Sequence, residues 1–360
     1  MSWIGLRKPG LLRFAPQGLD APGTRDDRRD HGGLMPRGTV LIDTRIVSSL
    51  TDQLLLSSRI DQPWTAGLRV SLDPHGGLCV TQRQGLTERH LRLPTDLRES
   101  TVAVTILFTW DAPARTAALS VEVPGTGAAW VAQFRDPLPP THDEMRALVE
   151  GGATFVSRGV GMVAVADHRV PFGPLPSLSG DTQVETDRGP AALGTLRVGD
   201  RIACVDGGMG QVRWIGAQSL PAFDRFRPLR LKAPYFGATR DLDCAACQRL
   251  RFKGSAVGYL FDTHMVSARI GDLGSGLTLR RAGGRLTETY WQVLLDRPAP
   301  MRIGGLACES LDLRAILDTP GLLELSVLRD LPRALLPRDR PAIPRLQSFE
   351  ARSLCAARAA

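Results

Sequence analysis

A chain of 360 residues with 43% hydrophobic and 23% charged side chains has a globular composition and enough length for two cores. Its longest apolar stretches, such as Val102 to Leu107, fall far short of the ~20 residues that cross a bilayer, which excludes a membrane-spanning helix. The net charge of +8 would permit nucleic-acid binding, but of the 45 lysines and arginines all except Lys8, Lys232 and Lys253 are arginines. These arginines alternate with Asp and Glu along the whole chain, so without a basic tract no nucleic acid is expected as a partner.

Residues 1–37 carry Pro9, Pro16, Pro22, Pro36 and the charge run Arg25 to Asp30 without a sustained period, and they read as a loose N-terminal arm. Pro9 and Gly10 interrupt any apolar signal-peptide core, so the expected compartment is the cytoplasm by default, or the outside by export without a cleavable N-terminal signal. From Gly38 the chain turns to short β-branched and leucine-rich runs: Val40 to Val47, Leu54 to Leu56, Leu68 to Leu72, Leu78 to Thr81, His90 to Leu93, Thr101 to Trp110, Ala117 to Val123 and Trp130 to Phe134. Turn signals such as Asp73-Pro74-His75-Gly76-Gly77 separate them, and this spacing predicts an antiparallel β-sandwich over residues 38–170. Asp73 and Asp111 read as turn residues rather than calcium ligands. The alternation in Leu68-Arg69-Val70-Ser71-Leu72 and in Val104 to Asp111 resembles the lectin or laminin-G type of sandwich, which implies a protein or carbohydrate ligand.

Thr141-His142-Asp143-Glu144 has the spacing of a capping box, Thr141 as N-cap and Glu144 at N3, and predicts a helix to Glu150 stopped by Gly151-Gly152. Pro171-Phe172-Gly173-Pro174-Leu175-Pro176 reads as a stiff linker over 171–176. Beyond it stand Ser177-Leu178-Ser179-Gly180-Asp181-Thr182-Gln183-Val184, then Leu196-Arg197-Val198-Gly199-Asp200-Arg201-Ile202, then Val212-Arg213-Trp214-Ile215-Gly216. Further matches follow in Arg227 to Leu231, Arg240-Asp241-Leu242, Tyr259-Leu260-Phe261, Leu294 to Arg297, Cys308 to Leu311 and Ser348 to Leu354.

This succession resembles the Hint domains, the fold shared by hedgehog C-terminal domains and inteins, in the form found in bacterial proteins. The resemblance implies an all-β domain over 177–315, with a turn at Gly199-Asp200 reversing the chain between two strands and short C-terminal helices in an extension over 316–360. The overall fold class expected is therefore mainly β, a sandwich followed by a Hint-type domain.

The family's chemistry needs a nucleophile at the first residue of the domain, which attacks the preceding carbonyl, and a Thr-x-x-His element whose imidazole protonates the departing nitrogen. The resemblance puts the nucleophile at Ser177, so the bond at risk is Pro176–Ser177 and the reaction an N-to-O acyl shift. It puts the Thr-x-x-His element at Ala245-Ala246-Cys247-Gln248, with Ala245 in the threonine position and Gln248 in the histidine position. A second family histidine is Gln292. Serine is a weak nucleophile without a base, and a carboxamide exchanges no proton near neutral pH. His264 aligns with no family catalytic position.

Cys244 and Cys247 add a Cys-x-x-Cys in the same stretch, which fits half a zinc site, a redox pair or a coincidence of buried thiols. The leading expectation is a non-enzymatic two-domain protein, a binding or export-associated module inactive in self-processing, with no cofactor. The alternatives are an autoprocessing protein that cuts Pro176–Ser177, and a thiol-redox or metal protein using Cys244 and Cys247.

Overall fold

The computed structural model describes residues 1–21, 33–47, 51–62, 64–97, 101–274, 276–336 and 343–359. The charge run Arg25 to Asp30 lies outside them. The chain divides into two compact units, one made of Met1–Gly173 with Ala315–Ser326, the other of Pro174–Arg314 with Val327–Ala360. Among the described residues no helix is long and apolar enough to cross a membrane.

The first unit is an antiparallel sandwich, as the run spacing predicts. One sheet has seven strands in the spatial order Ala129–Arg135, Thr116–Glu122, Val102–Asp111, Arg37–Ile46, Val160–Ala166, Trp3–Lys8 and Leu11–Phe14. The other has five, in the order Phe155–Val156, Gln53–Ile60, Ala66–Leu72, Leu78–Gln84 and Thr87–Leu93. Alternation fixes which face of each strand points inward. Val70 pairs with Val80 and Val80 with Leu91, all buried, whereas Arg69 pairs with Thr81 and Thr81 with His90 on the outer face. Val40, Ile42, Val104, Ile106 and Phe108 from the larger sheet join Leu68, Val70 and Val80 from the smaller in one core.

The loose arm expected over residues 1–37 is corrected at its start. Trp3–Lys8 and Leu11–Phe14 form a hairpin that extends the larger sheet, Leu6 opposite Arg13 and, on its other side, Ala164. Ile4 and Leu6 are fully buried. Pro9-Gly10, read as a breaker, is the hairpin's turn, with Gly10 at φ +78°. The capping box is formed in full: Glu144 N–H donates to Thr141 Oγ1 and Thr141 N–H to Glu144 Oε1, both at 3.1 Å.

Asp73 and Asp111 do hold turns. Asp73 Oδ1 accepts from the N–H groups of His75 and Gly77 at 2.8 and 2.9 Å, and Asp111 Oδ1 from Ala114 N–H at 3.1 Å. Burial works to raise the Asp73 carboxyl, but the Arg92 guanidinium and the two N–H donors overcome it and hold it below the ordinary carboxylate range. A carboxyl depressed in the folded state stabilises above its unfolded value of ~3.9, and that contribution is lost as pH falls through the folded one. Urea unfolding should therefore show the sandwich losing stability below about pH 4, and Asp73→Asn should flatten part of that dependence; an unchanged acid limb would remove Asp73 from the account.

The second unit is all β with short helices. Its sheets run Gly189–Ala192, Gln183–Thr186, Arg201–Ala203, Met209–Pro221, Thr287–Leu295; then Leu242–Ala245, Pro228–Leu231, Leu279–Arg281; then Val266–Arg269, Arg249–Phe252, Leu306–Cys308, Met301–Ile303. The Gly199-Asp200 turn is present, with Gly199 at φ +98° and Asp200 Oδ2 accepting from Arg197 N–H at 2.8 Å. It leads into strand Arg201–Ala203 from a short 3-10 segment at Leu193–Thr195, not from a strand. The C-terminal extension expected over 316–360 does not act as one piece. Residues 315–326 cluster with the first unit, where Thr319 Oγ1 donates to Ala129 O at 3.2 Å, and the helix Ser348–Ala359 with the second, burying Ala351 and Leu354. Helices this short owe their stability to packing, so the sequence alone does not say which core they join.

Candidate functional site

Ser177 and Leu178 lie between two strands of the second unit. Leu178 bridges Cys244 on one side and Trp291 on the other. The N–H groups of Ser177 and Leu178 both donate to Trp291 O, at 3.3 and 3.0 Å, and Ala245 N–H donates to Ser177 O at 2.7 Å. These bonds pin the backbone at Ser177, where the resemblance expects the nucleophile, between Leu242–Ala245 and Thr287–Leu295.

After Ala245 the chain reverses in a tight turn, closed by Gln248 N–H to Ala245 O at 3.0 Å, which returns the Gln248 side chain toward Ser177. The Ser177 hydroxyl donates to Gln248 Oε1 at 2.5 Å. Gln292, on the neighbouring strand, points its Nε2 at Ser177 Oγ and Gln248 Oε1, both at 3.3 Å, while its Oε1 accepts from Val293 N–H at 3.0 Å. Gln248 Nε2 donates to the carbonyls of Arg249 at 2.8 Å and Glu309 at 3.1 Å. Ser177, Gln248 and Gln292 are at most 5% exposed.

The structure thus brings Ser177, Ala245, Gln248 and Gln292 to one place. Ala245 contributes only backbone and a methyl group. Every polar side-chain atom of the cluster is hydrogen-bonded, as burial requires, and each of its side chains is uncharged at any physiological pH. The hydroxyl that would attack donates its hydrogen bond to a carboxamide oxygen, which is no base. The Ser177 nitrogen, which would leave, directs its own N–H to Trp291 O, and no side chain of the cluster can protonate it. The carbonyls of Trp291 and Glu309, which orient the cluster, were missed by sequence reasoning, because a backbone acceptor leaves no residue-type signal.

Cys244 sits on strand Leu242–Ala245 with its thiol inside the core, next to Cys308. Burial pushes the Cys244 thiol well above its ordinary value, and the neighbouring Cys308 and Cys247 add to the effect. Burial likewise raises Cys308. A thiol in that setting stays protonated and makes a poor nucleophile or metal ligand. Among the described residues no group of three or more His, Cys, Asp or Glu side chains is placed to hold a metal ion. Elemental analysis of the purified protein should show less than one equivalent of zinc, and Cys244 should resist alkylation until the chain unfolds; stoichiometric zinc lost on Cys244→Ser would overturn this.

The family model described as the Hint domain matches residues 176–314. Among solved structures, the gp41-1 intein shares 12% identity over 39% of this chain and 100% of its own, at a TM-score of 0.28. The CBM40 of the Ruminococcus gnavus IT-sialidase, bound to alpha2,3 sialyllactose, shares 16% identity over 38% of this chain and 77% of its own, also at 0.28. A heptameric SAP-like pentraxin from Limulus polyphemus shares 12% over 40% and 60%, at 0.21. No curated protein matches the chain. That match places a Hint domain at residues 176–314 of this chain, the stretch that holds Ser177, Ala245, Gln248 and Gln292.

Proposed function

We propose that this is a Hint-domain protein retired from self-processing, in which the domain serves as a folded binding or export-associated module beside a ligand-binding sandwich. One observation carries the reading: the nucleophile position is locked in a closed, non-titrating Ser177–Gln248–Gln292 network. Loss of a general acid alone removes ~10²–10⁴ in rate, and here the acid, its orienting hydroxyl and the thiol are all replaced. For the sandwich, a protein or carbohydrate ligand is supported by the polar outer face that Arg69, Thr81, Arg83 and His90 give the smaller sheet.

Intact-mass measurement after expression tests the reading. A single full-length species is expected, stable over days at neutral pH and in hydroxylamine. Two fragments, residues 1–176 and 177–360, would establish autoprocessing at Pro176–Ser177 instead.

A further inference from the structure

The sheet formed by Val266–Arg269, Arg249–Phe252, Leu306–Cys308 and Met301–Ile303 has two unlike faces. Leu250, Phe252, Leu306 and Cys308 are buried in the domain core. By alternation Arg251 and Ala307 point the other way, and both line a cavity of about 600 Å³. That volume lies within the range of small-molecule sites, ~300–1,000 Å³.

The charges around this cavity are unbalanced. Among the described residues, Arg251, Lys253 and Arg297 line it, with the imidazole of His264, against the carboxylate of Asp206. Two of these cations are already paired: Arg297 Nη2 lies 2.9 Å from Asp206 Oδ1, and Arg251 Nε 3.2 Å from Glu309 Oε1. Lys253 and His264 have no hydrogen-bond or ion-pair partner among the described residues, and both are exposed at the rim. Pro298, Ala299, Pro300, Met265 and Ile343 supply apolar walls. A concave, low-dielectric wall with the Lys253 ammonium at its mouth concentrates anions, and the apolar wall favours an anion that carries hydrocarbon.

We propose that this cavity binds a small organic anion, a carboxylate on an apolar body, with Lys253 and His264 holding the carboxylate and the proline-rich wall covering the body. Its lining includes none of Ser177, Ala245, Gln248 and Gln292, so the proposal does not rest on whether the domain self-processes. It also gives a role to His264, which aligns with no position of the family's chemistry.

Calorimetric titration of the full-length protein with octanoate, octanamide and inorganic phosphate tests it. Octanoate should bind at one site and weaken as salt rises, octanamide should bind at least ~10-fold more weakly, and Lys253→Glu should lower octanoate affinity ~10-fold or more, the equivalent of about 1.4 kcal/mol. His264→Ala, which removes a ring N–H donor, should weaken octanoate. Because Lys253 is exposed, its variant should melt with the parent protein. Equal affinity for octanoate and octanamide, binding of phosphate alone, no binding at millimolar concentration, or octanoate affinity indifferent to Lys253→Glu would each overturn the proposal.

Discussion

Ser177→Cys, Ala245→Thr and Gln248→His made together should yield a chain that hydroxylamine or a small thiol splits at the bond after Pro176, while none of the three alone should do so. The geometry is already in place. Position 177 is held between two strands, and its side chain meets that of position 248 at 2.5 Å. A thiol there can attack the Pro176 carbonyl carbon, forming the carbon–sulfur bond as the carbon–nitrogen bond breaks, while an imidazole at 248 supplies the proton that the departing nitrogen needs. The hydroxyl at 245 would orient that imidazole. Groups that act as one unit are strongly non-additive, so a thiol without an acid, or an acid without a thiol, should give intact protein by mass. In the triple variant the fragments should accumulate over hours, since an external nucleophile intercepts a thioester far more readily than an amide. A triple variant that folds with the parent's melting temperature yet stays whole would mean that more than these three positions has been lost, with Gln292 the next to restore.

Much of this was legible before the structure. The order of short matched segments from Leu178 to Leu354 placed Ser177, Ala245, Gln248 and Gln292 in one register, and strand pairing then puts them side by side. What the sequence withheld is the answer of the backbone: the Arg249 and Glu309 carbonyls that accept from the Gln248 carboxamide, and the Trp291 carbonyl that accepts from the Ser177 and Leu178 N–H groups, sit outside any residue-type pattern. In the sandwich, β-branched and leucine-rich runs bounded by turn residues located the strands from Val40 onward, and alternation marks those of the smaller sheet, such as Ala66–Leu72. Both signals failed at Trp3–Lys8, where the buried apolar run is short and interrupted by Gly5, and the adjacent Pro9-Gly10 reads as a break rather than as a turn. The cavity beside Lys253 was equally hidden, since its cations come from separated segments that only the fold brings together.

The largest stability effect is expected at Trp110. Its side chain is fully buried, its Nε1 donates to Met35 O at 2.9 Å, and its ring lies 5.7 Å from that of Phe108. It is also paired directly across the strands with Gly38, whose missing side chain leaves the space the indole fills: a Cβ at position 38 would stand 2.3 Å from Trp110 Cζ2. Glycine weakens a strand, and an aromatic ring laid over it restores cover to the exposed backbone. Trp110→Ala should therefore cost the sandwich ~3–5 kcal/mol, from the transfer term, the cavity and the orphaned Met35 carbonyl together. Trp110→Phe, which keeps most of the ring but not the N–H, should cost about half as much, and Gly38→Val should be nearly as damaging as the alanine variant because the blocked ring has no second place to go. Urea unfolding of the full chain, followed by near-ultraviolet circular dichroism, should show the sandwich transition moving to lower denaturant most for Trp110→Ala, nearly as far for Gly38→Val and about half as far for Trp110→Phe. A Trp110→Ala shift worth less than ~1 kcal/mol would mean that the two sheets can close over the gap, a degree of collapse that the pinned Gly38 strand argues against.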